Sequence, residues 1–246
     1  MAKTAKKKSP AKRKTATRKD TRPGPLRRLL RWVWRALFWG VVAVVLWVLA
    51  YRWIDPPVTP YMLSERMRLG ALDHEWVDLD DMVPVMARAA VAAEDANFCA
   101  HWGFDVTAIR EAIEAGGTRG ASTISQQVVK NAFLWQGRSW PRKALEAGLT
   151  PLMEALWPKR RVVEVYLNVA EFDEGVFGVQ AAARRYFGVD AADLSTGQAA
   201  ALASILPNPK VRDAAALTPA LQRKARRVRD GAATIRADGR AACFED

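Results

Sequence analysis

The sequence contains few of the residues from which covalent and metal-based sites are built. Its 246 residues include only two cysteines, Cys99 and Cys243, and two histidines. These numbers exclude a disulfide framework, and the spacing does not match that of zinc ligands, so we predict no zinc site and assign no metal-ligating residues. Nothing in the sequence indicates that the cysteines meet. We therefore expect two small buried apolar side chains, with a single disulfide as the alternative.

Several widespread motifs are also missing. The sequence has no GxxxxGK[ST] pattern, which would indicate a phosphate-binding loop, and no nucleophile elbow that would support a Ser-His-Asp triad. We find no alternating strand longer than a few residues and no internal repeat. Nucleotide-dependent enzymes, α/β-hydrolases and β-rich folds are therefore poor matches to this chain.

The body of the chain lacks a net charge, because the excess of +12 lies in the first 31 residues. That segment contains 13 Lys or Arg and one Asp, which leaves 25 basic and 25 acidic residues in the remainder. Since it also lacks the apolar residues of a core, we predict that residues 1–31 form a disordered basic tail. A scaffold or nucleic-acid binder that uses this tail is one alternative function, but we expect no nucleic acid partner for the body.

An apolar segment follows the tail. The stretch WVWRALFWGVVAVVLWVLAYRW at residues 32–53 has no charge between Ala36 and Tyr51 and is flanked by tryptophans. About 20 apolar residues span a bilayer, so we predict a transmembrane anchor with the tail in the cytoplasm and the body outside. A cleaved signal peptide is the alternative, but LAYRWIDPP offers a poor cleavage site.

The rest of the chain is predicted to be helical. Residues 54–83 are interpreted as a proline-containing linker and the start of the domain, and residues 84–246 as one all-α domain. Apolar residues recur at helical spacing in eight segments: 84–98, 105–116, 122–134, 141–149, 159–172, 178–188, 195–206 and 218–235.

Two polar stretches stand out in this apolar background. In AAEDANFCAHWGFD, helical spacing places Glu94, Phe98 and His101 on one face, although a solvated Glu and a structural His would look the same. In GASTISQQVVKN, Ser122 and Thr123 are natural N-cap residues, and Thr123, Gln127 and Lys130 share a face. This second stretch is either a well-capped surface helix or a set of donors for sugar and phosphate oxygens.

Cations cluster downstream of these stretches. Seven basic residues and only two acids lie between Lys130 and Arg161, and Arg142 is spaced for an i,i+4 pair with Glu146. The cluster is either a solvated face or a surface complementary to phosphate. Apolar side chains lie beside it and predict a second membrane contact, with core packing as the alternative: Phe133, Leu134, Trp135, Trp140, Leu152, Met153 and Trp157.

Taken together and in order, these motifs resemble the peptidoglycan glycosyltransferase family, and most closely its monofunctional biosynthetic membrane-anchored members. The similar region covers residues 57–208 and includes RKALEA, KRRVVEVYLNVAEF, GVFGVQAAARRYFG and LPNP. The resemblance implies a lysozyme-like helical fold whose cleft polymerises lipid II into β-1,4 glycan with inversion and release of undecaprenyl pyrophosphate. Only 37 residues follow Pro209, so we expect no transpeptidase domain.

The resemblance also implies roles for individual residues. Glu94 is the base that takes the proton of the acceptor hydroxyl, and Glu146 is a second acid on the pyrophosphate side. The implied substrate-binding residues are Ser122, Thr123, Gln126, Gln127, Lys130, Arg142 and Lys143, while Asp95, Phe98 and His101 shape the cleft. Glu164, Tyr166 and Asn168 look structural. No cofactor is required by this scheme, and a divalent cation, Mg²⁺ or Mn²⁺, at the pyrophosphate is compatible with it.

The expected setting is the bacterial inner membrane, with one span and the catalytic domain on the periplasmic side. Lipid II, the growing glycan and the bilayer are the expected partners, and the resemblance makes penicillin-binding transpeptidases and cell-division proteins candidate protein partners. Cell-wall biogenesis and cell shape are the implied processes. A lytic enzyme on the same fold is the competing catalytic hypothesis, but it would lack the anchor, the cationic cluster and the STISQQ segment.

Overall fold

The computed structural model describes residues 25–116, 120, 122–137 and 139–245. The chain divides into two compact units, Met1–Ala43 and Val44–Asp246. Most of the predicted tail, residues 1–24, lies outside the described residues. Its last part was assigned wrongly, because helix α1 extends over Pro25–Ala50. Leu26, Leu29 and Leu30 continue the apolar pattern of the anchor, and a proline fits the first turn of a helix.

Helix α1 is long and apolar enough to cross a membrane. Its most apolar 18-residue window has a mean hydropathy of 2.1, and 6% of that window is buried. Trp32, Trp34 and Trp39 are each more than 60% exposed. These properties suggest a single-pass membrane anchor, and a signal sequence near an N-terminus shares them.

The predicted linker is shorter than expected. Helix α2 occupies Pro60–Leu69, with Thr59 as its N-cap and Pro60 in its first turn. Tyr61 and Met62 are buried in the core, 7% and 1% exposed. The interpretation as a linker was therefore wrong for residues 60–69, since Pro60 begins a helix instead of prolonging an extended segment.

All eight helical segments predicted from periodicity form helices. They are α3 (Pro84–Glu94), α4 (Val106–Glu114), α5 (Ile124–Phe133), α6 (Trp140–Leu156), α7 (Lys159–Val169), α8 (Val179–Phe187), α9 (Thr196–Ile205) and α10 (Pro219–Ala237). A short α11 (Ala242–Glu245) follows them. Helix α6 continues past Pro151, where the hydroxyl of Thr150 donates to the carbonyl of Glu146. The all-α prediction is confirmed.

The core is formed by helices with small side chains. Helix α3 packs against α9 and α10, and α5 packs against α6 and α7. Alanines dominate the buried faces of α3 and α9, which lets these helices approach closely. Gly231 of α10 lies so near α3 that a Cβ there would sit 3.2 Å from the Cβ of Ala92. Close packing of this kind fixes the C-terminal end of α3, where Glu94 lies.

A small sheet closes one side of the domain. Strand β1 (Asp73–His74) pairs in parallel with β3 (Val176–Phe177), and β3 pairs antiparallel with β2 (Glu171–Asp173). Each strand has two or three residues, which is why alternation in the sequence did not reveal them.

Two predictions about buried residues need correction. Cys99 and Cys243 form a disulfide across 144 residues of sequence, whereas we expected unpaired thiols. Part of the predicted second membrane contact lies in the core, since Phe133, Leu134, Met153 and Trp157 are at most 6% exposed. Local patterns cannot show which distant segments meet, and apolar core residues resemble apolar surface residues in sequence.

Candidate active site

Glu94 is the last residue of α3, and its carboxylate contacts Gln127, which lines a polar cavity. Its side chain is 11% exposed. Gln127, one turn into α5, donates a hydrogen bond from Nε2 to Oε2 of Glu94 at 3.0 Å. The hydroxyl of Tyr166 in α7 donates to Oε1 of Gln127 at 3.3 Å. Helices α3, α5 and α7 thus hold one chain of hydrogen bonds that orients the carboxylate.

The surroundings of Glu94 act on its pKa in opposite directions, and burial has the largest effect. Burial raises the pKa of Glu94 above the ordinary glutamate value, and this effect outweighs the hydrogen bond from Gln127. Three cations also oppose the increase: Lys224, Arg212 and Lys130. The nearest of these contacts is between Lys224 Nζ and Glu94 Oε1, 3.9 Å apart. A buried carboxylate with a raised pKa is a stronger proton acceptor once it is ionised, as a general base requires.

Lys224 and Arg212 are functional candidates that the sequence pattern did not single out. Both donate hydrogen bonds to the carbonyl of Ser204, at 3.3 Å each, near the C-terminal end of α9. That end of a helix carries partial negative charge and stabilises cations beside it. The two residues lie more than a hundred positions from Glu94 in the sequence. Only the packing of α10 against α3 and α9 brings Lys224 to the carboxylate.

The turn after Glu94 is tied to the start of α5 by Asp95. Asp95 is buried, and its Oδ1 lies 2.8 Å from Nε2 of His101. Its Oδ2 accepts a hydrogen bond from the backbone N–H of Ile124 at 3.0 Å. Phe98 is fully buried beneath the turn, with Lys159 Nζ 4.2 Å from its ring centre. These contacts fix the turn, and the cleft-shaping role of Asp95, Phe98 and His101 stays a prediction.

Two of the residues predicted to bind substrate form the N-terminal cap of α5. Thr123 and Gln126 form a capping box, in which each side chain bonds the backbone of the other residue. The hydroxyl of Thr123 also donates to the carbonyl of Gly103 at 2.6 Å. Gly103 has φ +81, and a Cβ there would lie 2.5 Å from Thr150 Cγ2. Thr123 and Gln126 are almost fully buried, so this geometry supports a scaffold role for them. Ser122 is exposed, and Gln127 lines the cavity described below.

Lys130 is a half-buried cation of α5. Among the residues that the structure describes, no hydrogen bond or ion pair involves its ammonium group. Burial lowers the pKa of Lys130. Together with Gln127, Tyr166 and Asn131, it lines a cavity of about 220 Å³. Burying a cation is costly unless an anion compensates its charge, so Lys130 stays a candidate for binding an anionic ligand, as predicted.

Glu146 lies in a buried cluster of charges on α6. It is 2% exposed, and its Oε2 accepts from Arg142 Nη1 at 2.6 Å. Lys143 pairs with the other carboxylate oxygen. Arg142 is also buried and donates from Nε to the carbonyl of Gly137 at 2.8 Å, whereas the Lys143 side chain is 43% exposed. The predicted i,i+4 pair exists, but in the interior, and Lys143 is the member of this cluster that a ligand can reach.

The residues around Lys130 do not fit a divalent cation. Both oxygens of Glu146 are held by cations, and Lys130 itself repels a positive ion. In the described part of the chain, one group has carboxylate and imidazole atoms close enough to hold a metal: Asp95, His101 and Asp105. There, Asp95 is bonded to Ile124 N–H and His101, and Asp105 caps α4. We therefore derive no step through a metal.

Comparisons with known proteins identify the family of this chain. A sequence profile described as Transglycosylase matches residues 63–233. The chain belongs to the transglycosylase family. It is 59% identical over 214 residues to a protein from Jannaschia sp. named "Biosynthetic peptidoglycan transglycosylase", covering 87% of this chain and 90% of the relative. The resemblance predicted from the motifs is thereby confirmed.

Two other relatives carry the same name. The transglycosylase is 48% identical over 225 residues to a protein from Rhodospirillum centenum and 45% identical over 223 residues to one from Caulobacter vibrioides. Both alignments cover 89% of this chain and 97% of the relative. The similarity therefore extends beyond the residues of the cleft to almost the whole transglycosylase.

Proposed function

We propose that this transglycosylase polymerises lipid II into β-1,4 glycan strands of peptidoglycan and releases undecaprenyl pyrophosphate. One observation carries the proposal. The largely buried carboxylate of Glu94 accepts a hydrogen bond from Gln127, and Gln127 lines the same cavity as Lys130, whose ammonium group has no hydrogen bond or ion pair among the described residues. A carboxylate suits removal of a hydroxyl proton, and a cation suits a pyrophosphate leaving group. The names of the relatives support a peptidoglycan substrate.

The proposed reaction is one displacement at the anomeric carbon of the donor. The 4-hydroxyl oxygen of the acceptor sugar forms a bond to that carbon, and Glu94 takes the hydroxyl proton. The bond between the carbon and the phosphate oxygen breaks, and the electron pair leaves with undecaprenyl pyrophosphate. Attack on the face opposite an α-linked leaving group inverts the centre, so no covalent enzyme intermediate forms.

Each charged group of the cleft has a place in this scheme. Lys130 stabilises the charge that develops on the leaving pyrophosphate, and exposed Lys143 extends the cationic surface. Glu146 supports that side by holding Arg142 and Lys143 in position. Gln127 keeps the Glu94 carboxylate directed at the acceptor through its hydrogen bond, while Ser122 is exposed for contact with sugar hydroxyls.

We also propose that α1 anchors the protein in the bacterial inner membrane with the catalytic domain on the periplasmic side. The apolar length of α1 and the 13 basic residues among residues 1–31 support this orientation. The Cys99–Cys243 disulfide supports it independently, because such bonds persist in oxidising compartments and are rare in the cytoplasm. A reporter fused near Asp81 that is active only in the periplasm tests the orientation, and a mature N-terminus after Tyr51 would contradict the uncleaved anchor.

The central experiment is incubation of the purified full-length protein with labelled lipid II, followed by separation of the products by size. We expect long glycan from the wild-type protein and none from Glu94→Gln, which preserves shape and removes basicity. Glu111→Gln, at an exposed position on α4, is the matched control and should retain activity. Substantial polymerisation by Glu94→Gln at unchanged helicity would overturn the assignment of the base. Cleavage of purified peptidoglycan without polymerisation would favour a lytic enzyme.

A further inference from the structure

The C-terminal residues 238–245, which we call the C-terminal strap, lie across the turn that follows Glu94. Helix α11 of the strap contacts both that turn and α7. The disulfide joins Cys243 in the strap to Cys99 in the turn. The turn itself, residues 95–101, has no regular secondary structure beyond one 3₁₀ turn at Phe98–Ala100. An irregular segment of this kind depends on its neighbours for rigidity.

Four contacts besides the disulfide attach the strap. Phe244 is fully buried and its ring lies 6.3 Å from that of Phe98, which is equally buried. Arg240 donates from Nη1 to the carbonyl of Ala96 at 3.2 Å. Two further contacts reach helices of the core, from Arg88 of α3 to Glu245 at 2.7 Å and from Arg160 of α7 to the carbonyl of Phe244 at 3.2 Å.

The position of the turn determines the position of Glu94 through two connections. The N–H of Asp95 donates to the carbonyl of Val91 at 2.8 Å and thereby closes the last turn of α3 next to Glu94. The Asp95 carboxylate also holds the N–H of Ile124 at the start of α5. Helix α5 carries Gln127, whose amide contacts Glu94. A shift of the turn would therefore alter both the backbone that carries Glu94 and the hydrogen bond that orients it.

We propose that Cys99, Cys243 and Phe244 are positioning residues for Glu94, and that full activity requires the disulfide to be formed. Enzymes are sensitive to small displacements of this kind, since a misplacement of about 1 Å can lower the rate about 100-fold. The inference rests on the proposed function for its kinetic consequence. The link between the strap and the mobility of the turn does not depend on the substrate and is measured separately.

The first measurement is amide hydrogen exchange on the full-length protein in detergent. In the oxidised protein the N–H groups of Phe98 and Ala100 are bonded within the turn, to Asp95 and Asn97 carbonyls at 3.0 and 2.7 Å. We expect exchange in residues 95–101 to become roughly tenfold faster after reduction with dithiothreitol, while exchange in the buried helix α9 stays unchanged. The double variant Cys99→Ala/Cys243→Ala should match the reduced protein and should not respond to dithiothreitol. Equal exchange in all of these samples would overturn the proposal.

The second measurement is steady-state polymerisation of labelled lipid II at a temperature where circular dichroism shows every sample fully folded. We expect kcat to fall roughly tenfold in the reduced protein and the double variant, with KM within about twofold of wild type. The acid limb of the kcat profile should also move to lower pH, because a loosened turn admits water to Glu94 and weakens the effect of burial. Reoxidation of the reduced wild-type protein should restore activity.

The two measurements separate the possible failures. Absence of polymerisation by oxidised wild-type protein would reject the proposed function, while the exchange data would still decide whether the strap holds the turn. Unchanged kcat with faster exchange would overturn the positioning role, since the strap would then fix the turn without affecting catalysis. A loss of activity that only parallels the unfolded fraction would overturn it as well, because the disulfide would then act on stability alone. Phe244→Leu, which leaves the disulfide intact, should show a smaller change of the same kind.

Discussion

Gln127 Nε2, in the first turn of α5, lies 3.0 Å from Oε2 of Glu94 at the end of α3, although the two residues are 33 positions apart in the sequence. The amide N–H donates a stronger hydrogen bond to the carboxylate than to the neutral acid, and the amide oxygen accepts from the Tyr166 hydroxyl. This arrangement fixes the direction of the carboxylate and favours its ionised form, against the opposite effect of burial. The pH at which the transglycosylase becomes active should therefore depend on Gln127.

We predict that Gln127→Met raises the pKa of Glu94 further, because it removes a hydrogen bond that stabilises the carboxylate. The acid limb of the kcat/KM profile should move to higher pH, and the rate at neutral pH should fall roughly tenfold. The measurement is initial polymerisation rate from pH 5 to 9. Tyr166→Phe, which keeps the Gln127–Glu94 bond, is the control and should move the limb much less.

Lys224 should have a related but purely electrostatic effect. Its positive charge, 3.9 Å from the carboxylate, lowers the pKa of Glu94, so Lys224→Met should shift the acid limb to higher pH. Arg229→Met removes a charge from the same helix at an exposed position beside Asp230 and serves as the matched control. High salt should reduce this shift of the acid limb less than it would reduce the effect of a solvent-exposed ion pair, because Lys224 is mostly buried. An equal shift in both variants would show that only the overall charge matters.

Lys130→Met should separate activity from stability. We expect polymerisation to fall by at least about 100-fold, since the leaving pyrophosphate loses a cation. The midpoint of thermal unfolding should stay constant or rise, because the substitution removes a half-buried charge that has no partner among the described residues. Lys143→Met, at a more exposed and paired position, should lower activity less. A marked loss of stability in Lys130→Met would indicate a structural role instead.

The raised pKa of Glu94 also predicts how Glu94→Gln affects stability. An acid whose folded-state pKa lies above its unfolded value stabilises the fold at low pH and loses that contribution as the pH rises through the raised pKa. The glutamine variant should therefore be more stable than wild type at pH 7, and the difference should be much smaller at pH 4, where the carboxyl group of the unfolded chain is largely protonated. Urea unfolding at both pH values measures it. A glutamine variant that is less stable than wild type at pH 7 would show that the ionised Glu94 carboxylate stabilises the fold.

The predicted second membrane contact now depends on Trp140 and Trp135, which are 88% and 47% exposed. We expect the domain to float with liposomes after removal of residues 1–43, the N-terminal compact unit, and to lose flotation in Trp140→Ser/Trp135→Ser. This truncation keeps Trp47 and Tyr51, which pack against Phe133. Val211→Ser, at an exposed apolar position elsewhere, is the control. A truncated domain that never floats would leave α1 as the sole membrane contact.

Local sequence determined most of the helical architecture of this protein. The eight predicted helices and the Thr123 N-cap depend on residues within a few positions of one another, so periodicity and capping preferences were sufficient. The candidate base at Glu94 came from the resemblance of its motif. Helix α2 was missed because three nearby prolines indicated a linker, although Pro60 opens a helix.

The environment of Glu94 was decided only by tertiary structure. Lys224 comes within 3.9 Å of it because α10 packs against α3, and Cys243 reaches Cys99 across 144 residues. Packing likewise placed Phe133 and Trp157 in the core and left Trp140 exposed, although all three look alike as apolar residues beside cations in the sequence. Spacing along a chain reports contacts within a turn or two of helix, whereas the pKa of a carboxylate depends on every charge and every buried surface around it, whatever the distance in sequence.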